Sequence, residues 1–91
     1  MTTIYISGHL KNFAGGKTEI ELDSNFDSVG AAIESLCKQH LALRDRILNE
    51  QGEIRQHVSI FLGSDDVKRL DGLRTEMKSH EIHIFNAVSG G

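Results

Sequence analysis

The chain has 91 residues, 38% of them hydrophobic and 25% charged, with a formal net charge of −3 and a single cysteine. This length makes one domain with one modest core. The negative balance and scattered basic residues argue against a general nucleic-acid binder, no apolar run approaches the roughly 18 residues that span a bilayer, and a lone cysteine excludes an internal disulfide.

Met1-Thr2-Thr3-Ile4 lacks the charged and apolar regions of a signal peptide, so the expected setting is cytoplasmic, with no membrane and no nucleic-acid partner. Thr3-Ile4-Tyr5-Ile6-Ser7 alternates and contains β-branched residues, which predicts a first strand. Lys17-Thr18-Glu19-Ile20-Glu21-Leu22 predicts a second, and Gly8 to Gly16 forms the long tip of their hairpin. Asp27 or Ser28 offers a short oxygen to cap a helix that runs to about His40. Val29, Ala32, Ile33, Leu36 and Cys37 follow the helical period and form its apolar face. Gly30 costs about 1 kcal/mol relative to Ala inside a helix, and close packing of helix on sheet is the expected compensation.

Leu43 and Ile47 predict a short second helical piece, and Asn49 to Glu53 a loop. His57-Val58-Ser59-Ile60-Phe61-Leu62 is the third strand. Gly63-Ser64-Asp65-Asp66 then turns into a short edge strand over Val67 to Leu70, and Asp71-Gly72 turns the chain again. Ile82 and Ile84 mark the core side of a last strand that begins at Glu81.

The order β-β-α-β-β-β predicts an α+β fold of the β-grasp, ubiquitin-like type: a mixed sheet with one main helix packed on one face. Residues 1–86 form this domain and residues 87–91 a flexible diglycine tail. One helix covers one face, so parity leaves Tyr5, Phe61, His83 and Phe85 on the other. Tyr5, Phe61 and Phe85 are candidates for an apolar docking patch, unless Leu41 to Arg55 folds over them. Glu19, Glu21, Asp65 and Asp66 read as ordinary solvated charges rather than as steering groups.

Other constellations carry little chemistry. Cys37 lies on the apolar helical face and packs as a small hydrophobe. His80 and His83 stand three apart, which places them on opposite sides of a strand, so no metal site is expected. Gly15-Gly16-Lys17 lacks the remaining phosphate-loop residues and its strand-loop-helix setting, and a hairpin tip explains it.

The sequence closes on Ala87-Val88-Ser89-Gly90-Gly91. Glycine has no Cβ and fits where other residues clash, so such an end suits a narrow active site and presents a carboxylate there. Ile60-Phe61-Leu62-Gly63, Asp66-Val67, Leu70-Asp71-Gly72-Leu73-Arg74-Thr75 and the closing Ala87-Val88-Ser89-Gly90-Gly91 together resemble the sulfur-carrier proteins of the ThiS/MoaD family. Leu70-Asp71-Gly72-Leu73 and the overall length look closest to its CysO-like branch. The chain departs from the family pattern at Ser79-His80-Glu81, where a Gly-Asp turn is common, in lacking proline before the tail, and in carrying Ser89.

The resemblance implies a carrier with no catalytic residues, bound cofactor or metal of its own. Gly91 would be adenylated by an E1-like adenylyltransferase of the MoeB/ThiF type at the expense of ATP, then converted to a thiocarboxylate. Gly90 and Ser89 would thread the active-site channel, with Val88 as an apolar anchor or simply the last strand residue. A sulfur-acceptor enzyme, either cysteine synthase-like or a molybdopterin synthase large subunit, would receive the sulfur. The rival readings are the small subunit of molybdopterin synthase, a ubiquitin-like protein modifier, and an inert interaction module.

Overall fold

A computed structural model describes residues 1–86. The period-two pattern of the sequence becomes a period-two pattern of burial. In β1 (Thr2–Ile6) and β3 (Val58–Leu62) every second residue is buried, beginning with the first. β2 (Glu19–Leu22) buries Ile20 and Leu22, and β5 (Glu81–Asn86) buries Ile82 and Ile84. A two-residue strand β4 (Asp65–Asp66) completes the sheet, whose order is β2-β1-β5-β3-β4. β1 and β5 run parallel, and the other neighbours are antiparallel. This is the mixed β-grasp sheet expected from the sequence.

Helix α1 (Val29–Gln39) buries the expected stripe of Val29, Ala32, Ile33, Leu36 and Cys37. Ser28, not Asp27, is its cap: Ser28 Oγ accepts a hydrogen bond from the Ala31 amide at 3.2 Å, satisfying one of the orphan donors of the first turn. Leu43 and Ile47 of α2 (Leu41–Ile47) are buried in the same core as Ile4, Ile60 and Ile84. No helix among the described residues is long and apolar enough to cross a membrane.

Two local expectations are corrected. The edge strand is Asp65–Asp66, whereas Val67–Arg69 forms a 3₁₀ turn. Asp66 accepts from the Lys68 amide at 2.9 Å, which starts that turn and drops Val67 alone into the core. Gly63, at φ 62°, provides the tight reversal between β3 and β4. The close approach that explains Gly30 comes from a second 3₁₀ turn, Gly72–Arg74, and not from the sheet. The β1–β2 hairpin has the long tip expected of it. It holds a 3₁₀ turn at Lys11–Phe13, and it buries Leu10 and Ala14 completely.

An aromatic face beside the end of the last strand

The segment from Leu41 to Arg55 does not cover the outer face of the sheet. α2 drives Leu43 and Ile47 into the core, and the following turn closes on itself, with Asn49 Oδ1 accepting from the Gln51 and Glu53 amides at 2.9 Å each. Phe85 is left 46% exposed, while Tyr5, Phe61 and His83 are half-buried.

The rings belong to three adjacent strands. Tyr5 in β1 pairs with His83 in β5, and His83 pairs with Phe61 in β3. Tyr5 and His83 stack at 4.7 Å between centroids and 15° between planes. His83 and Phe85 lie 6.3 Å apart and nearly parallel, and Phe61 meets Phe85 edge-on at 5.8 Å and 80°. These are the offset and T-shaped arrangements that ring quadrupoles favour. The structure therefore brings all three sequence-predicted residues, Tyr5, Phe61 and Phe85, into one patch. His83 is the member that sequence reasoning placed on this face without giving it a role; parity alone showed its side but not its stacking.

Carboxylates border the rings. Glu81 Oε1 stands 3.7 Å from His83 Nε2. Partial burial, followed by the charges of Glu19, Glu81 and Glu21, pushes the Tyr5 phenol above its ordinary value, so its hydroxyl stays protonated at neutral pH. The face presents apolar ring surface, a phenol, an imidazole and a carboxylate margin.

The same face runs to the end of β5. Phe85 immediately precedes Asn86, whose amide donates to Ser7 Oγ at 3.3 Å and which pairs with Val58. Val88, Ser89, Gly90 and Gly91, the residues expected to carry the chemistry, lie outside the described residues.

The helical side differs. An apolar groove of about 480 Å³ is lined there by Ile33, Cys37, Lys38, Leu41, Arg44 and Leu73, among others. Burial pushes the Cys37 thiol up, with Arg44 pulling the other way. A protonated, buried thiol is a poor nucleophile, in keeping with a packing role. Among the described residues, no three His, Cys, Asp or Glu side chains gather in a way that would hold a metal ion.

No family model matches the chain. A protein of Archaeoglobus fulgidus with the provisional name of sulfur carrier protein is 31% identical over 74 residues, covering 80% of this chain and 84% of the relative. Small archaeal modifier protein 3 of Haloferax volcanii is 31% identical over 65 residues, covering 70% of each chain. Among solved structures, a chain of the BexX/CysO complex of Amycolatopsis orientalis superposes with a TM-score of 0.87 at 24% identity, over the whole of both chains. The fold is thus CysO-like, and with two relatives that are small carrier or modifier proteins, the chain belongs to the ThiS/MoaD-like sulfur carriers of ubiquitin fold.

Proposed function

We propose that this protein carries sulfur on the carboxyl group of Gly91 and takes no catalytic part itself. The observation that carries the reading is the junction at Phe85 and Asn86: an uncovered aromatic face ends where the last five residues, Ala87 to Gly91, begin. Five extended residues reach at most about 16–18 Å. A partner that grips the face through Tyr5, Phe61 and Phe85 therefore receives Gly91 within one active-site depth.

The chemistry follows from the poor electrophilicity of a carboxylate. An E1-like adenylyltransferase of the MoeB/ThiF type joins the Gly91 carboxylate to AMP and releases pyrophosphate from ATP. Sulfide attacks the acyl carbon, the bond to AMP breaks, and a thiocarboxylate remains with loss of one proton. That sulfur is nucleophilic at neutral pH and passes to a cysteine synthase-like or other acceptor enzyme. Gly90 tolerates no Cβ in a narrow channel, Ser89 is small enough to follow it, and Val88 anchors the entry.

The test is intact mass after incubation with the source organism's adenylyltransferase, Mg-ATP and sulfide, beside a variant lacking Gly91. Replacement of one oxygen by sulfur, trapped by alkylation and mapped to Gly91, is the expected result. Mapping is needed because Cys37 also alkylates and because methionine oxidation adds nearly the same mass. An unchanged Gly91, with the enzyme active on a known carrier, rejects the reading. Kinship with a small archaeal modifier protein favours a second use of the same tail, an isopeptide bond to lysine. Higher-mass conjugates that vanish on deletion of Gly90-Gly91 would identify it.

A further inference from the structure

The strand register aligns one residue from each of the five strands into a row across the outer face. Tyr5 pairs with Glu19 on one side and His83 on the other; His83 pairs with Phe61, and Phe61 with Asp66. The row therefore reads Glu19–Tyr5–His83–Phe61–Asp66, three rings closed off by a carboxylate at each end. With strands about 4.7–4.9 Å apart, four steps separate the two ends by about 19 Å.

The neighbouring row repeats the sign. Thr3 pairs with both Glu21 and Glu81, so three carboxylates gather around Tyr5. No lysine or arginine stands in either row. Burial first, and the charges of Glu19, Glu81 and Glu21 after it, push the Tyr5 phenol above its ordinary value. At the far end, a notch of about 360 Å³ is lined by Phe61, Ser64, Asp65, Asp66, Arg69 and the 51% exposed Leu70. Phe61 and Leu70 suit the aliphatic stem of a long cationic side chain, and Asp65 and Asp66 suit its head. Arg69 offsets part of the charge there, and the Lys68 amide engages one oxygen of Asp66.

We propose that this face selects a partner protein whose contact surface has an apolar centre flanked by two groups of Lys or Arg about 19 Å apart. The inference rests on the docking reading above and identifies that partner with the activating adenylyltransferase. Charge complementarity favours it over a second copy of this chain, because self-pairing of the face would set carboxylates against carboxylates. The sequence alone suggested that Glu19 and Asp66 were idle surface charges; their alignment with the rings assigns them to the interface.

Association with the source organism's adenylyltransferase, followed by stopped-flow or surface plasmon resonance, tests this. The double reversal E19K/D66K should slow association about tenfold at roughly 0.05 M salt and less than about twofold at roughly 0.5 M salt, where screening removes steering. Phe61→Ser runs beside it as the apolar control. Loss of binding with Phe61→Ser, but no salt-dependent effect of E19K/D66K, overturns the charge pattern and leaves the docking face standing. Unchanged binding in both variants overturns the docking reading as well. All three substituted residues lie outside the buried core, though D66K also removes the acceptor of the Lys68 amide, and a thermal melt of each variant separates lost contact from lost fold.

Discussion

Gly30→Ala sets two effects of opposite sign against each other. Alanine is the better helix former by up to about 1 kcal/mol, and less so here, because Gly30 lies in the first turn of α1. Against that gain, an ideal Cβ would stand 2.8 Å from the Leu73 carbonyl oxygen and 3.2 Å from Leu73 Cβ. The nearer atom is backbone, in a segment tied on both sides. The Val29 amide donates to the Thr75 carbonyl at 3.0 Å, the Met77 amide to Asp27 at 3.1 Å, and the Asp71 amide to Thr75 Oγ1 at 3.1 Å. Gly72, at φ 61°, fixes the turn between them. Such a segment moves only by straining these bonds, and overpacking of this kind costs about 1–3 kcal/mol. The expected net loss is about 1–2 kcal/mol, a drop in Tm of roughly 5–15 °C for a chain of this size. Thermal melts by circular dichroism, supported by urea midpoints, measure it. A Tm equal to or above that of the parent would refute the argument, since helix propensity would then have outweighed the contact.

Ser28→Ala removes the acceptor for the Ala31 amide and is expected to cost about 1 kcal/mol, read as a lower urea midpoint with an unchanged m-value. On β5, Ile84→Ala should cost about 2–5 kcal/mol because Ile84 is fully buried. Phe85→Ala, one residue later, should cost about 1 kcal/mol or less and yet weaken binding of the adenylyltransferase at least tenfold, checked by melts and titration on the same samples.

The elements that declare a period were legible in the sequence. Ile4, Ile60, Ile82 and Ile84 alternate with outward residues, and the α1 stripe repeats every three to four positions, so strands, helix and the composition of the aromatic face followed from residue spacing. The short second helix showed in Leu43 and Ile47, but β4 and the 3₁₀ turns declared nothing. Two residues, Asp65 and Asp66, are too few to alternate, and a 3₁₀ turn such as Val67–Arg69 has no amphipathic stripe to recognise. Leu10 and Ala14 fell in the expected hairpin tip with nothing to mark them as core, because their burial depends on chain reversal, not on local pattern. The contact between Gly30 and Leu73 joins residues far apart in sequence, and so does the row from Glu19 to Asp66. Both require the register, which no single sequence segment contains.

That register also explains why the aromatic face and the core are not independent. With a side-chain period of two, placing Ile82 and Ile84 inside obliges His83 and Phe85 to stand outside, and a one-residue slip of β5 would exchange the two sets. β5 is held on both flanks, by parallel pairing to β1 and antiparallel pairing to β3. A slip would therefore break two ladders and expose two isoleucines at once. The core thus fixes which rings stand on the outer face, and the Asn86 contacts to Ser7 and Val58 fix the end of β5. Under the proposed docking, a partner on the aromatic face meets Gly91 within the reach of five extended residues, about 16–18 Å at most. Lengthening the segment after Asn86 should therefore impair activation while leaving docking on Tyr5, Phe61 and Phe85 intact, because the two depend on different parts of the same strand.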